Sequence, residues 1–323
     1  MRWRILAGDC MASLRSLPAG CVQTCITSPP YYGLRDYGHD GQIGLEESPA
    51  EYVTRLVEVF REVRRVLRDD GTLWLNLGDS YAGSTTNGDA RPGAGRADGR
   101  VDGRAQRNRN GLGAVVGCKP KDLLGIPWMV AFALRDDGWY LRSEIVWAKP
   151  NPMPESVRDR PTKAHEYVFL LSKRERYYYD AAAIAEAAAN PDGFKYAGGY
   201  KNTLHMVEES KRVNVGSARL ANGTVPHFKA GHGEARNART VWTIATQPYP
   251  EAHFATFPEE LPSRCIRAGS APGDTVLDPF GGSGTTGAIA VGLGRAAILC
   301  ELNPAYVELA RQRIGPMLCE VAA

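Results

Sequence analysis

The 323-residue sequence predicts an α/β protein with a doubly wound sheet, and three observations support this fold class. Short apolar segments typical of strands alternate with helical segments along much of the chain. One of these strands, 275–278, runs directly into a glycine-rich loop that opens a helix. Glu301 ends the strand that follows. An acid roughly 20 residues past a glycine loop is typical of ligand-binding α/β sheets.

The predicted strands are short apolar runs: 2–7, 22–27, 72–77, 140–147, 167–171, 275–278 and 296–300. The clearest helix is 49–67, where apolar residues recur at helical spacing from Tyr52 to Leu67. Gly71 is predicted to end this helix. Shorter helices are predicted at 11–17, 123–134 and 287–291, with an alanine-rich helix after Tyr179.

An unusual turn, Ser28-Pro29-Pro30-Tyr31, follows the second strand. Its prolines fix the backbone and push the residues before them towards extended geometry. The Ser28 hydroxyl and the carbonyls around Pro29 are therefore held at the end of a strand, beside the flat rings of Tyr31 and Tyr32. This arrangement suits a flat heterocycle whose exocyclic amine is hydrogen-bonded. The alternative is an ordinary turn with a surface tyrosine pair.

The second motif is 278–285, Asp-Pro-Phe-Gly-Gly-Ser-Gly-Thr, at the end of another strand. Its glycines let the backbone turn sharply and approach a ligand closely. The helix that follows begins with free N–H groups that face such a ligand. Glu301 then occupies the position from which Rossmann-like proteins bind ribose hydroxyls. A lone glycine loop could serve any nucleotide, but its pairing with the Ser-Pro-Pro-Tyr turn is more specific.

Together the two motifs resemble those of the beta-class DNA methyltransferases, which methylate exocyclic amines. The catalytic motif of that family reads (Asp/Asn/Ser)-Pro-Pro-(Tyr/Phe). In this class the catalytic half precedes the half that binds the cofactor, and the two motifs occur here in that order. Segments 147–156, 165–166 and 253–261 resemble further motifs of the family. The resemblance covers most of residues 1–82, 119–175 and 250–315.

The resemblance implies a Rossmann-like methyltransferase that depends on S-adenosyl-L-methionine. Its doubly wound sheet is circularly permuted, with an antiparallel strand at one edge and an inserted target-recognition region. Residues 1–175 would form the catalytic half, 176–246 the target-recognition region and 247–323 the half that binds S-adenosyl-L-methionine.

The catalytic residues that the resemblance implies are Ser28, Pro29, Pro30 and Tyr31. A base flipped out of the duplex would stack on Tyr31. Its amine would donate to the Ser28 side chain and the Pro29 carbonyl, and would attack the methyl group without a covalent enzyme intermediate. Pro30 would shape the turn.

The cofactor-binding residues that the resemblance implies lie in both halves of the chain. They are Asp9, Phe257, Asp278, Phe280, Gly281, Gly282, Gly284, Thr285 and Glu301. Glu301 would bind the ribose, and Asp9 the adenosine part of the cofactor. Asp9 fits equally well as the N-cap of the helix that follows it. The seven cysteines and six histidines show no metal-ligand spacing, so we predict no metal site.

Two regions outside the core motifs are candidates for DNA contacts. Residues 82–118 are rich in glycine and arginine and are predicted to be flexible in isolation, either closing on phosphates or forming a surface insertion. Residues 176–246 mix basic and aromatic residues, which suits target recognition, with a loop-rich structural insertion as the alternative. The predicted DNA-binding residues are Tyr32, which could instead be a packing residue, Lys195, Lys201, Lys211, Arg212, Arg219, Arg236 and Arg239.

Composition agrees with a globular DNA-modifying enzyme. The hydrophobic content is 43%, the charged content is 23%, and the net charge of +3 requires any basic DNA surface to be local. No apolar run is long enough to span a bilayer, and the N-terminus lacks a signal-peptide layout, so we expect a cytoplasmic protein. Expected partners are double-stranded DNA, a second copy of the chain and a cognate restriction endonuclease.

The identity of the methylated atom rests on Ser28. In the family, Ser-Pro-Pro-Tyr is associated mostly with cytosine N4 and Asp-Pro-Pro-Tyr with adenine N6. Because a carboxylate accepts a stronger hydrogen bond than a hydroxyl, serine is a plausible match for the amine of cytosine. We therefore expect cytosine N4, with adenine N6 as the alternative. An inactive DNA-binding homologue and an RNA or protein methyltransferase are weaker alternatives.

Overall fold

The computed structural model describes residues 3–34, 39, 41–83, 115, 117–187, 235–247 and 257–315. The strands are β1 (Trp3–Ala7), β2 (Val22–Thr27), β3 (Leu67–Leu77), β4 (Tyr140–Ala148), β5 (His165–Ser172), β6 (Glu186–Ala187), β7 (Ala235–Arg236), β8 (Val241–Thr243), β9 (Thr275–Asp278) and β10 (Ala296–Glu301). The α-helices are α1 (Cys10–Arg15), α2 (Pro49–Val66), α3 (Ile126–Asp136), α4 (Glu260–Gly269), α5 (Thr285–Gly292) and α6 (Pro304–Ile314).

The described residues fall into two compact units. The described residues within 1–183 and 239–323 form the first unit, and those within 184–238 form the second. In the second unit, β6 and β7 pair as an antiparallel ladder, and Arg236 lies 3.4 Å from the Glu186 carboxylate. All the elements of the main sheet belong to the first unit.

Among the described residues, the main sheet has eight strands in the order β1-β10-β9-β2-β3-β5-β4-β8. The first five strands in this order, β1, β10, β9, β2 and β3, are parallel to one another. β5 is antiparallel to both β3 and β4. An α/β sheet with one reversed strand was predicted, but the reversed strand was expected at an edge. It lies inside the sheet instead, because β4 and β8 continue the sheet beyond β5.

Helices cover both faces of the sheet, as a doubly wound fold requires. Cys25 of β2 belongs to the apolar core that also contains Tyr52, Leu56 and Phe60 of α2. The neighbouring residue Thr24 meets Gly269 of α4, where an added Cβ would lie 2.8 Å from the Thr24 hydroxyl oxygen. Because successive side chains of a strand point to opposite faces, α2 and α4 pack on opposite sides of the sheet.

The end of α2 corrects the prediction for Gly71. The helix ends at Val66, and Leu67 is already extended, with φ −68° and ψ 142°. Gly71 lies within β3, where an added Cβ would come within 2.9 Å of the Arg68 carbonyl oxygen and 3.0 Å of the Gln23 carbonyl oxygen. This glycine therefore permits the close approach of β2 and β3, at the point where their register shifts.

The alanine-rich helix predicted after Tyr179 is also wrong. Only a short 3-10 helix, Ala182–Ile184, is found there among the described residues, and β6 follows it. Strand pairing of residues 186 and 187 with β7 overrides the helical preference of the alanines. In the part of the chain that the structure describes, no helix is long and apolar enough to cross a membrane.

Candidate active site

The two sequence motifs meet at one edge of the sheet. Ser28 follows the carboxyl end of β2, and the glycine loop follows the carboxyl end of β9. Because neighbouring parallel strands end at the same edge, β2 and β9 bring together segments about 250 residues apart. This edge is where ligands bind in open α/β sheets.

A buried carboxylate joins the two motifs. Asp278 is 2% exposed and accepts hydrogen bonds from the hydroxyls of Thr27 (2.6 Å) and Thr286 (2.7 Å) and from the Phe280 N–H (3.1 Å). Burial raises the pKa of this carboxyl to about 6, although its three hydrogen bonds act in the opposite direction. Thr27 immediately precedes Ser28, so Asp278 fixes the catalytic turn against the glycine loop.

The Ser-Pro-Pro-Tyr turn is held from behind by α2 and by a nearby glycine. The Tyr52 hydroxyl donates to the Pro30 carbonyl at 2.8 Å, and Pro29 is buried. Gly44, with φ +108°, packs so closely that an added Cβ would lie 3.0 Å from the Tyr31 carbonyl oxygen. These contacts leave Ser28 and Tyr31 half-buried at the edge of the sheet.

The Tyr31 hydroxyl lies at the centre of a polar cluster. Ser28 Oγ donates to it at 3.3 Å, and it lies 2.7 Å from Glu166 Oε2 and 3.2 Å from Asn76 Oδ1. Burial, followed by the charge of Glu166, holds the pKa of Tyr31 well above its usual range, so this hydroxyl keeps its proton. The ring also packs against Gly78, where an added Cβ would lie 2.6 Å from Tyr31 Cε2.

Glu166 is held in this cluster by two further side chains. Lys149 forms an ion pair with Oε1, and the Asn76 amide donates to Oε2 at 3.2 Å. The Lys149 ammonium also lies 4.3 Å above the Trp147 ring. Asn76, Lys149 and Glu166 are absent from the predicted site residues, although Lys149 and Glu166 lie within segments that carry the family resemblance.

The glycine loop is anchored by Glu301. One carboxylate oxygen accepts from the Gly282 N–H at 2.7 Å, and the other accepts from the Asn303 N–H at 2.8 Å. Burial raises the pKa of this carboxyl, and the backbone hydrogen bonds oppose that rise. Each oxygen retains a further lone pair, which suits the two hydroxyls of a ribose. This pair of acceptor oxygens therefore fits the ribose hydroxyls in the nucleoside part of the predicted cofactor.

The three glycines predicted to bind the cofactor do different things. Gly284, with φ +81°, packs against α6, since an added Cβ would lie 2.8 Å from Ala310 Cβ. Gly281 likewise packs against β10, since an added Cβ would lie 3.0 Å from Leu299 Cβ. Gly282, with φ +50°, faces open space. An added Cβ would come no closer than 4.0 Å to the Phe280 carbonyl oxygen. Of the three, Gly282 is the one whose missing side chain leaves room beside the loop.

The remaining predicted cofactor residues have structural partners of their own. Asp9 caps α1 by accepting from the Ala12 N–H at 2.9 Å, which is the alternative role that the sequence left open. Thr285 is buried and accepts from Arg313 at 2.8 Å. Phe280 packs partly buried against the apolar core, and Phe257 is half-buried at the start of the segment before α4. The roles of these four residues in cofactor binding remain predictions.

The structure corrects the place of Tyr32 among the DNA-binding residues. Its side chain is 3% exposed, its ring lies 5.6 Å from that of Tyr52, and it belongs to the apolar core. Tyr32 is therefore a packing residue. Arg236 pairs with Glu186 in the small hairpin, and the Arg239 carbonyl accepts from the Trp242 indole at 2.8 Å. Five predicted DNA-binding residues lie outside the described residues: Lys195, Lys201, Lys211, Arg212 and Arg219. Most of the 82–118 insertion also lies outside them.

The fold and the site define an α/β protein in which a glycine-rich loop and a carboxylate that fit a nucleoside cofactor lie beside a Ser-Pro-Pro-Tyr turn. The chain matches the family model described as DNA methylase over residues 22–312, and it belongs to this family. It is 45% identical over 312 residues to the type II methyltransferase M.SmaI of Serratia marcescens, an alignment that covers 96% of this chain and 90% of the relative. It is 46% identical over 310 residues to M.Cfr9I of Citrobacter freundii, with 96% and 87% covered.

Solved structures show the same fold at low identity. The cytosine-N4-specific PvuII DNA methyltransferase aligns with a TM-score of 0.61 and 19% identity, covering 98% of this chain and 87% of that one. The M1.HpyAVI–SAM complex aligns with a TM-score of 0.54 and 15% identity, covering 97% and 99%. The predictions of the family, the fold class, the enzyme class and the cofactor are confirmed. The protein is a DNA methyltransferase that depends on S-adenosyl-L-methionine.

Proposed function

We propose that the protein methylates the N4 amine of cytosine at a specific site in double-stranded DNA. The observation that carries the proposal is the serine at the first position of the catalytic turn, half-buried at the carboxyl edge of the sheet. The PvuII enzyme, which shares the fold, is named as cytosine-N4-specific. The relatives are named type II methyltransferases, and because that name implies a restriction-modification system, a cognate restriction endonuclease is part of the proposal.

The base amine would be held by acceptors on the turn. Ser28 Oγ and the Pro29 carbonyl are the acceptors that the turn offers, and the prolines fix their positions before the base arrives. A neutral hydroxyl accepts a weaker hydrogen bond than a carboxylate does. Catalysis then consists mainly of orienting the lone pair of the amine, with no covalent bond to the enzyme.

The cofactor would be held by the loop between β9 and α5 and by the end of β10. S-adenosyl-L-methionine supplies an electrophilic methyl group when bound. Glu301 would accept the ribose hydroxyls, and Gly282 would let the loop backbone approach the ligand. The N–H groups at the start of α5, which follows the loop, would favour an anionic group such as a carboxylate. Asp278 keeps this loop in register with the catalytic turn.

Target recognition is assigned to residues 176–246, between the catalytic half at 1–175 and the cofactor-binding half at 247–323. The support is the mixture of basic and aromatic residues in that segment, which suits contacts with phosphates and base edges. A homodimer and a cytoplasmic location remain predictions from the sequence and the family resemblance.

The test is to incubate the purified protein with duplex DNA and labelled S-adenosyl-L-methionine, and to identify the methylated nucleoside by mass. We expect N4-methylcytosine. Ser28→Ala should abolish most of the transfer while leaving cofactor affinity unchanged. Ser143→Ala, which removes the hydroxyl of a half-buried serine in β4, is the matched control and should transfer at the wild-type rate.

Three outcomes would contradict the proposal in different ways. N6-methyladenine as the product would keep the enzyme class and reject cytosine as the target. Full activity of Ser28→Ala would reject the role of the serine hydroxyl. Cofactor binding with no transfer to any duplex DNA would point to another substrate class.

A further inference from the structure

A chain of hydrogen bonds leads from Ser28 into the protein. Ser28 Oγ lies 3.3 Å from the Tyr31 hydroxyl, which lies 2.7 Å from Glu166 Oε2. Glu166 is in turn ion-paired with Lys149. These side chains come from the turn after β2, the start of β5 and the segment after β4. This series of hydrogen bonds, called the relay below, therefore exists only in the folded protein.

The chemistry of the partners fixes the direction of each hydrogen bond. The Glu166 carboxylate accepts only, so the Tyr31 hydroxyl donates to it. The Asn76 amide donates to Glu166 and to the Tyr167 carbonyl at 3.1 Å, which turns its oxygen towards Tyr31 as a second acceptor. With its proton committed to either acceptor, Tyr31 can only accept from Ser28. The Ser28 proton therefore points into the protein.

The direction of this proton determines what Ser28 offers to a substrate. A hydroxyl has one proton and two lone pairs, so a serine that already donates inward presents only lone pairs outward. Such a serine is an acceptor for an amine N–H and a poor partner for a carbonyl oxygen. The short bond to an ionised carboxylate makes this arrangement more stable than one between neutral groups.

We propose that Glu166 is a positioning residue that acts through Tyr31 to hold Ser28 as a hydrogen-bond acceptor for the target amine. Lys149 and Asn76 fix the carboxylate in place. This inference rests on the proposed function, in which Ser28 binds the amine, and it gives Tyr31 a second role besides stacking. The family motif accepts Tyr or Phe at this position. Because phenylalanine has no hydroxyl, the hydrogen-bond relay from Ser28 through Tyr31 to Glu166 is possible only in proteins with tyrosine there, such as this one.

The experiment compares Tyr31→Phe, Glu166→Gln and the double variant in single-turnover methyl transfer at saturating cofactor. Tyr31→Phe keeps the ring and removes only the hydroxyl. Tyr32→Phe is its matched control, because that hydroxyl makes a long contact of 3.4 Å with the Glu47 carbonyl, outside the relay. Glu62→Gln controls for the loss of an ion-paired, half-buried glutamate, since Glu62 pairs with Arg65 at 2.8 Å in α2. Cofactor affinity is measured for every variant by titration calorimetry.

We expect each single variant to transfer the methyl group about tenfold to a hundredfold more slowly, with cofactor affinity unchanged, because a misdirected acceptor misplaces the amine. The double variant should be no slower than the slower single variant, because both changes interrupt the same series of hydrogen bonds. Tyr32→Phe and Glu62→Gln should transfer at the wild-type rate. A relay that only stabilised the fold would lower cofactor affinity or thermal stability without this non-additive loss of rate.

Two results would overturn the proposal. Single variants within about twofold of the wild-type rate would show that Ser28 needs no inward partner. Losses that add in the double variant would show that Tyr31 and Glu166 act separately. If Glu166→Gln does not fold because Lys149 loses its partner, the pair Glu166→Gln/Lys149→Met removes both charges and is judged by the same rates. The identity of the methylated nucleoside is read in the same assay, so an error about cytosine is distinguished from an error about the relay.

Discussion

Replacement of Asp278 by asparagine tests how the buried carboxylate contributes to stability at different pH values. The carboxylate is 2% exposed, and burial raises its pKa from 3.8 to about 6 in the folded protein. The folded state therefore binds this proton more tightly than the unfolded chain does. The resulting stabilisation is fully present below about pH 4 and is lost as the pH rises through about 6.

The size of this effect follows from the two pKa values. Their difference of about 2 pH units corresponds to ~3 kcal/mol of unfolding free energy at 1.36 kcal/mol per unit. Asparagine at this position carries no charge at any pH. Its oxygen can accept from one threonine hydroxyl, and its amide can donate to the other. The stability of Asp278→Asn relative to the wild type should therefore increase by ~3 kcal/mol between pH 4 and pH 8.

The assay is urea unfolding of both proteins at several pH values from 4 to 8, followed by circular dichroism. Glu301, whose pKa is also raised by burial and whose charge contributes to the raised pKa of Asp278, is present in both proteins, so the comparison reports the loss of the Asp278 carboxyl together with its coupling to Glu301. Asp274→Asn serves as the control, since Asp274 is half-buried and accepts from the Ala271 N–H at 2.8 Å. Parallel stability curves for the wild type and Asp278→Asn would refute the reasoning.

Three further predictions concern the loop and the turn. Gly284→Ala should destabilise the protein by about 2–4 kcal/mol in urea unfolding, because φ is +81° and the new methyl would lie 2.8 Å from Ala310. Glu301→Gln should weaken cofactor binding about tenfold or more in titration calorimetry, because an amide NH2 would face one of two backbone N–H groups. Ser28→Asp should not convert the enzyme to an active adenine methyltransferase in the nucleoside assay. The new carboxylate would compete with Glu166 for the hydroxyl proton of Tyr31. The double variant Ser28→Asp/Glu166→Gln removes this competition and should transfer the methyl group faster than Ser28→Asp alone.

The sequence predicts the site where local chemistry and chain order are sufficient. Prolines and glycines report backbone geometry directly, so the catalytic turn and the loop 278–285 are each placed correctly at the end of a strand, and the structure adds that the two strands end at the same edge of the sheet. Strand 22–27 is predicted with its observed bounds, the strand near 140 is one residue longer than predicted, and the strand near 167 is longer by two residues at its start and one at its end. The roles of the individual residues in binding and catalysis remain predictions that the variants above test.

The errors arise where packing between distant segments decides the outcome. Gly71 fits the local pattern of a helix terminus, but it lies in β3, where an added Cβ would meet the Gln23 carbonyl oxygen of β2 as well as the Arg68 carbonyl oxygen. Tyr32 follows Tyr31 in an apparently exposed turn, yet the ring of Tyr52 from α2 covers it. In both cases the deciding contact comes from a segment about 20 or more residues away along the chain. Local patterns contain no information about that contact.

Glu166 shows how strand direction can hide a site residue. It occurs at the beginning of β5, and the beginning of a parallel strand would lie at the edge away from the site. Because β5 is antiparallel to β3, its first residues instead lie beside the last residues of β3, with Tyr167 paired to Leu77. The lysine that follows β4 reaches the same edge, and an acid and a base separated by a proline-rich loop become an ion pair beside the catalytic turn. A reversed strand inside a parallel sheet thus lets the residue at its start, as well as those at the ends of its neighbours, serve one active site.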